Sequence, residues 1–224
     1  KVAMYKVASF EVVDIPLLKK IGSTRKPVIM SRGMASPAEI KLAIKTLKAA
    51  GAPAVAVLHC ISACPAAPER MNLATIPDIA KKFNVISGLS DHTLGITVSI
   101  AAVALGASII EKHFTLSRAD GGPDAEFSAE PPEMENLVKA ARLAQVAVGE
   151  PTYELDKKEL RTAMYRRSLF AVKNIKRGEK IKKDDIRSVR PGQGLKPEFF
   201  DQVTNKRAKQ NIEKGTPLSW KLFY

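Results

Sequence analysis

The clearest hydrophobic pattern of the chain lies between residues 84 and 114. Two short β-branched runs, residues 85–86 and 108–110, flank an unbroken Ala/Val/Ile-rich segment at residues 96–105. The runs predict strands that are buried on both faces, and the apolar segment is long enough for a helix that ends at Gly106. A strand, a helix and a second strand in this order form a parallel βαβ crossover.

Apolar runs of the same kind precede this crossover. They predict strands at residues 4–9, 27–31 and 54–59, separated by helical patterns at residues 15–21 and 36–51 and after Ile76. The resulting five β/α units recur about every 25 residues, which is typical of a TIM barrel or a doubly wound sheet. None of the loops after these strands carries a glycine-rich dinucleotide fingerprint, which counts against a Rossmann domain. Because five strands cannot close an eight-stranded barrel, we predict the C-terminal five β/α units of a TIM (β/α)8 barrel within a longer protein.

The pattern changes in the last third of the chain. A helix at residues 132–148 closes the first predicted domain, residues 1–149, and a charged linker with helical character spans residues 150–166. From residue 167 to residue 224, short apolar alternations are broken by Gly and Pro, which predicts a small β-rich domain.

Composition limits the classes of function. The chain has a net charge of +13, to which residues 1–150 contribute +3 and residues 151–224 contribute +10. A basic domain could bind a polyanion, but the charges show little aromatic interleaving and no nucleic-acid motif, so we expect no nucleic-acid partner. No apolar run reaches about 18 residues, so no membrane span is expected. Cys60 and Cys64 form no disulfide framework, which favours a reducing cytoplasm.

Polar residues that could take part in catalysis or binding follow the predicted strands. They are Glu11, Ser31, His59 with Ser62, the group Ser90, Asp91 and His92, and His113. Because parallel strands end at the same edge of a sheet, His92 and His113 could converge on a divalent-metal site. The alternative is that each histidine only caps a strand or binds a neighbouring loop.

Several motifs together resemble the N-acetylneuraminate (sialic acid) synthase family. They are Lys6-Val-Ala-Ser-Phe-Glu, Ser31-Arg-Gly-Met, Gly88-Leu-Ser-Asp-His-Thr, Glu111-Lys-His-Phe and Gly122-Pro-Asp. The tail, with Ile175-Lys-Arg-Gly-Glu and Arg190-Pro-Gly, is similar to the antifreeze-like (SAF) domain of that family. Met71-Asn-Leu and the segment at residues 115–124 are most similar to the pseudaminate branch. The resemblance implies condensation of phosphoenolpyruvate with a 2,4-diacetamido-2,4,6-trideoxy hexose to a nine-carbon sugar acid and phosphate. N-acetylneuraminate or legionaminate synthesis is the alternative within the family.

The resemblance also implies roles for individual residues. His92 and His113 would hold Mn²⁺ or Mg²⁺, with Asp91 orienting His92, and Glu11 would balance charge or move a proton beside phosphoenolpyruvate. The positions that match substrate-binding residues are Lys6, Ser9, Ser31, Ser62, Ser90, Asp124 and Arg190. Arg190 would reach the active site of the partner subunit in a domain-swapped homodimer.

The chain departs from the family pattern at two positions, and two other functions are alternatives. Cys64 stands where the family usually has Tyr, and Gln193 where the pseudaminate branch often has His, so the sugar preference could differ. The resemblance implies that residues of the first barrel units are absent from this chain, so these 224 residues alone are expected to be inactive or barely active. The other functions are a polyanion-binding module and a metal-free aldolase that uses Lys6 as a Schiff-base lysine.

Overall fold

Five parallel strands form one sheet in the computed structural model, which describes residues 2–224. Each strand pairs with the next one along the chain. The strands are β1 (Tyr5–Val7), β2 (Val28–Ser31), β3 (Val55–Cys60), β4 (Ile86–Asp91) and β5 (Ile109–Lys112). The helices between them are α1 (Ile15–Gly22), α2 (Pro37–Ala49), α3 (Thr75–Phe83) and α4 (Thr97–Ala104), and α5 (Pro131–Val148) follows β5.

The sheet is strongly curled. Lys6 lies on β1 and Glu111 on β5, at opposite edges of the sheet, yet Lys6 Nζ is 3.3 Å from Glu111 Oε1. In a flat sheet these strands would be about 19 Å apart, at about 4.8 Å per strand, which is farther than the two side chains reach. The curl and the order of the parallel strands confirm the predicted portion of a TIM barrel.

The two faces of this sheet carry different side chains, because successive residues of a strand point to opposite faces. The face that packs against the helices buries apolar side chains such as Val7, Met30, Val57 and Leu89. The strand register assigns one set of polar side chains to the concave face. They are Lys6, Ser31, Cys60, Ser90 and Glu111. A polar concave face beside an apolar helix-covered face is the arrangement that an active site in a barrel requires.

Strand β4 is longer than its apolar pattern predicts. The expectation that Ser90 and Asp91 follow the fourth strand is wrong, because both lie within β4. Gly88, Leu89 and Ser90 have no β-branched side chains, but β3 and β5 pair with this segment on both sides. Pairing with two neighbours therefore overrides the weak local preference for an extended backbone.

Helix α2 begins with a complete capping box. Ser36 Oγ accepts a hydrogen bond from the Glu39 N–H, and Glu39 Oε2 accepts one from the Ser36 N–H. We expect Ser36→Ala to lower the free energy of unfolding by about 1 kcal/mol, because an N–H group of the first turn loses its acceptor. Urea denaturation of the complete protein measures this change. Ser36→Asp should retain nearly all the stability, and an equal loss in both variants would contradict the capping role.

The second unit, from Pro151 to Tyr224, has its own small core. It begins with a short helix, α6 (Lys157–Thr162), and an antiparallel pair of strands, β6 (Ser168–Ala171) and β7 (Ile186–Val189). A single helical turn, α7 (Phe200–Val203), follows. The short antiparallel sheet confirms the predicted small β-rich domain. None of the helices within residues 2–224 is long and apolar enough to cross a lipid bilayer.

Candidate active site

The imidazoles of His92 and His113 lie side by side at the carboxyl ends of neighbouring strands. His92 directly follows β4 and His113 directly follows β5, and their ring centroids are 5.2 Å apart. Each ring has a contact at Nδ1. His92 Nδ1 donates to the carbonyl of Ile61 at 2.9 Å, and His113 Nδ1 is 3.6 Å from Asp124 Oδ2. These contacts leave Nε2 of each ring available to bind another group.

This donor set fits a divalent metal ion. A metal-binding histidine generally has its second ring nitrogen held by a carbonyl or a carboxylate. The Ile61 carbonyl holds His92 in this way, and the Asp124 carboxylate lies near His113 Nδ1 without a direct hydrogen bond. In the described part of the chain, no cluster of three or more His, Cys, Asp or Glu side chains could hold a metal ion. An ion on His92 and His113 would therefore need water or substrate oxygens as further ligands, which is typical of a catalytic metal site and not of a structural one.

The Asp91 carboxylate makes no hydrogen bond to the His92 ring, contrary to the expectation from sequence that it orients this ring directly. Its carboxylate accepts hydrogen bonds from Thr93, from Ser99 and from Lys112, all on the helix-facing side of the sheet. The cause is strand alternation, because Asp91 belongs to β4 and points away from the concave face. The Ile61 carbonyl holds the His92 ring instead.

His59 is separated from the other two histidines for the same reason. It lies inside β3 and is completely buried, with Nε2 bonded to the Met71 carbonyl and Nδ1 accepting from Arg32 at 3.1 Å. Burial lowers the pKa of His59, which favours the neutral ring. The clustering of all three histidines after strands was therefore misleading, since His59 packs in the interior.

A second cluster occupies the concave face next to the histidines. Glu111 Oε1 accepts a hydrogen bond from Ser90 Oγ at 2.7 Å and lies 3.3 Å from Lys6 Nζ. Lys6 Nζ also donates to the carbonyl of Val7 at 3.1 Å. Ser31 Oγ is buried and has no hydrogen-bond partner among the described residues. An ammonium group and an unpartnered hydroxyl on one face are suited to binding an anion.

Ser9 and Ser62 meet at the rim of this face. Ser62 Oγ donates to Ser9 Oγ at 2.9 Å. Gly33 makes the approach possible, because a Cβ at this position would lie 2.3 Å from the Cβ of Ser9. Two hydroxyl groups from distant parts of the chain are thus brought together, and their binding of substrate stays a prediction.

The remaining candidate residues, Glu11, Asp124 and Arg190, have fewer contacts with the histidines and with the polar cluster on the concave face. Glu11 Oε2 accepts a hydrogen bond from the Ala8 N–H at 2.8 Å, within its own helical turn. Asp124 faces His113, as described above, in a loop where Phe127 packs edge-on against the same ring at a centroid distance of 5.1 Å. Arg190 belongs to the second unit, where it is exposed and lines a cleft of about 360 Å³ with residues of α6.

Cys60 adds a polarisable group to the concave face. Its Sγ lies 3.8 Å from His92 Nδ1 and 3.8 Å from Ser62 Oγ. Burial raises the pKa of the Cys60 thiol, but the contacts with His92, Ser62 and Ser90 lower it by more, so the pKa falls below its ordinary value. Contact with Cys60 in turn raises the pKa of His92.

Glu111 and the Ile61 carbonyl were missed as site components by sequence reasoning. Glu111 had a usable signal, because it stands two residues before His113 and therefore shares a face of the extended chain with it. The Ile61 carbonyl had none, since any residue has a carbonyl and only the folded loop directs this one to His92.

The comparisons with known proteins agree with this geometry. Residues 1–153 match the NeuB family, and residues 166–223 match the SAF domain. The chain belongs to the NeuB family. The predicted resemblance to sialic acid synthases is thereby confirmed.

Relatives within the NeuB family include several sugar-acid synthases. A pseudaminic acid synthase of Campylobacter jejuni is 41% identical over 214 residues, covering 96% of this chain and 62% of the relative. An N,N'-diacetyllegionaminic acid synthase of Legionella pneumophila is 36% identical and has the same two coverages, 96% and 62%. The chain thus spans less than two thirds of the length of these relatives.

Solved structures include an N-acetylneuraminic acid synthetase from Leptospira borgpetersenii. It is 37% identical to this chain, with a TM-score of 0.67, and the match covers 74% of this chain and 57% of that one. This likeness places the curled sheet of the NeuB chain among the sialic acid synthase barrels.

Proposed function

We propose that the complete protein condenses phosphoenolpyruvate with an acetamido sugar, as a pseudaminic acid synthase. The observation that carries this proposal is the pairing of His92 and His113 beside the Lys6, Ser31 and Ser90 cluster on one concave face. The identity of 41% to the Campylobacter jejuni pseudaminic acid synthase supports this choice of sugar product.

The two histidines are proposed to hold a divalent ion through their free Nε2 atoms. When bound, the ion would supply Lewis acidity to the sugar aldehyde. Nitrogen donors favour Mn²⁺ over Mg²⁺, which prefers oxygen ligands. Asp124 is proposed to bind a sugar hydroxyl, because its carboxylate is exposed and lies close to His113.

The polar cluster is proposed to bind the phosphate and carboxylate of phosphoenolpyruvate. Lys6 supplies positive charge, and the hydroxyl groups of Ser31 and Ser90 supply hydrogen-bond donors. Ser9 and Ser62 would add donors at the rim. Glu11 follows Ser9 closely in the chain, and it is proposed to balance positive charge that develops on the substrate or to move a proton.

Arg190 is proposed to act from the small domain of a partner subunit in a swapped homodimer. The net charge of +10 on residues 151–224 is consistent with a domain that approaches anionic substrates. We also propose a cytoplasmic location, because Cys60 and Cys64 are both free thiols, as is usual in a reducing compartment.

Phosphate release from phosphoenolpyruvate tests the proposed function. The complete protein is incubated with either the diacetamido trideoxy hexose or N-acetylmannosamine, each with and without EDTA. Release with the diacetamido sugar alone, abolished by EDTA, is the expected result. Release with N-acetylmannosamine alone would assign the protein to the neuraminate branch, and release with neither sugar would overturn the proposal in favour of a polyanion-binding module.

The 224 residues by themselves are expected to release no phosphate above background. Within residues 2–224, β1 and β5 each pair on one side only, so the concave face is open along both edges. An open site cannot exclude water or hold both substrates in place. The same phosphate assay, run beside the complete protein at equal concentration, measures the difference. Turnover by the short chain at a comparable rate would contradict this prediction.

A further inference from the structure

A buried ion pair joins the two strands that carry the paired histidines. Lys112 Nζ lies 3.0 Å from Asp91 Oδ2, and the two side chains are 3% and 0% exposed. Asp91 directly precedes His92, and Lys112 directly precedes His113. The pair therefore connects the backbone at one histidine with the backbone at the other, from the helix-facing side of the sheet.

Hydrogen bonds from both members of this ion pair also hold Thr93, the residue that follows His92 in the chain. Asp91 Oδ1 accepts from the Thr93 N–H at 2.9 Å and from Thr93 Oγ1 at 2.8 Å, and Lys112 Nζ donates to the Thr93 carbonyl at 2.6 Å. Ser99 Oγ of α4 donates to Asp91 Oδ2 at 2.6 Å. His92 thus lies between two residues, Asp91 and Thr93, that are both tied to Lys112.

We propose that the Asp91–Lys112 ion pair is a positioning device that sets the separation of the His92 and His113 imidazoles, and thereby the affinity of the site for a divalent cation. This inference rests on the proposed metal-binding role of the two histidines. Neither Asp91 nor Lys112 reaches the concave face, so neither is a ligand or a catalytic residue. Their effect is transmitted through the backbone to the residues that follow them.

Stability alone is a weak reason for such a pair. Two charges lose their hydration when they are buried, and replacing a buried ion pair by uncharged residues of similar volume is often neutral or stabilising. A pair that only stabilised the fold could therefore be replaced without a loss of function. A pair that positions the histidines could not, because the bonds between residues 91–93 and residue 112 would be lost with it.

The double variant Asp91→Asn/Lys112→Met separates these two roles. Asparagine and methionine have nearly the shapes of aspartate and lysine, and removing one negative and one positive charge leaves the net charge near the site unchanged. In the complete protein, Mn²⁺ binding is followed by the electron paramagnetic resonance signal of free Mn²⁺, and folding by circular dichroism and thermal unfolding. We expect a folded protein whose Kd for Mn²⁺ is raised about 10- to 100-fold, the usual effect of changing groups that orient metal ligands.

Leu47→Ala is the matched control. Leu47 is fully buried in the apolar core that also contains Val7 and Met30 and includes neither Asp91 nor Lys112. This variant should therefore lower the melting temperature and leave the Kd for Mn²⁺ unchanged. A folded double variant with the wild-type Kd would overturn the positioning role. If the double variant does not fold, the single variant Asp91→Asn decides, because it keeps an amide oxygen that can accept from Thr93 and removes the negative charge that pairs with Lys112. A raised Kd then supports the proposal, and an unchanged Kd overturns it.

The result for the wild-type protein distinguishes this inference from the proposed function. If the wild-type protein binds no Mn²⁺, the metal-binding role of His92 and His113 fails, and the inference fails with it. If the wild-type protein binds Mn²⁺ and the double variant binds it equally well, only the inference fails.

Discussion

Replacing His92 by alanine in the complete protein is expected to lower phosphate release from phosphoenolpyruvate by about 10³-fold. In the proposed metal site, the one remaining imidazole, that of His113, would bind a divalent ion less tightly than the pair does. A Lewis acid contributes several kcal/mol to catalysis, and each 1.36 kcal/mol changes the rate about tenfold. The measurement is the initial rate of phosphate release at saturating phosphoenolpyruvate and sugar, together with Mn²⁺ binding.

The third histidine provides the control for this experiment. His59 is buried on the helix-facing side of the sheet, and His59→Gln keeps an amide group that can donate to the Met71 carbonyl. We expect His59→Gln to retain Mn²⁺ binding and most of the activity. Equal losses of activity in His92→Ala and His59→Gln would show that the effect of His92 is structural.

Replacing Gly88 by alanine is expected to lower the free energy of unfolding by at least about 3 kcal/mol, at the upper end of the range for overpacked sites. A Cβ at this position would lie 2.2 Å from the carbonyl oxygen of Ile109 and 2.8 Å from Cδ2 of Leu58. The carbonyl belongs to the backbone of β5, so the methyl group can be accommodated only if β4 and β5 move apart. These strands lead to His92 and His113, and Mn²⁺ binding should therefore weaken as well. Urea denaturation and a Mn²⁺ titration of the complete protein measure the two effects.

Gly95→Ala is the matched substitution in the same unit. Gly95 has φ of +71° and no heavy atom within 4 Å of its hypothetical Cβ. We expect Gly95→Ala to lower the free energy of unfolding by only about 1–2 kcal/mol, because alanine is strained in the left-handed backbone conformation. A loss of stability at Gly88 no larger than that at Gly95 would contradict the argument that the strands are in close contact there.

Much of the candidate site could be predicted from the sequence, because the active-site residues of a TIM barrel lie at the carboxyl ends of its strands. His92 and His113 follow β-branched runs in consecutive β/α units, and parallel strands necessarily end on the same side. Ser9 and Ser62 are 53 residues apart, and only the family resemblance suggested that both belong to the site. The face of the sheet to which each side chain points was harder to predict. Asp91 was expected beside the His92 ring but points to the helix-facing side, because a shift of one residue in a strand moves a side chain to the opposite face.

The sequence by itself determined the β/α rhythm, the change to a small β-rich domain and the family, since these depend on local periodicity and on residues in a fixed order. Only the tertiary structure decided that the sheet curls enough for Lys6 to meet Glu111, that Ile61 holds the His92 ring, and that His59 lies in the interior. It also decided that Asp91 pairs with Lys112 beneath the site. These features depend on strand register and curvature, which arise when distant segments pair and which no local pattern of residues specifies.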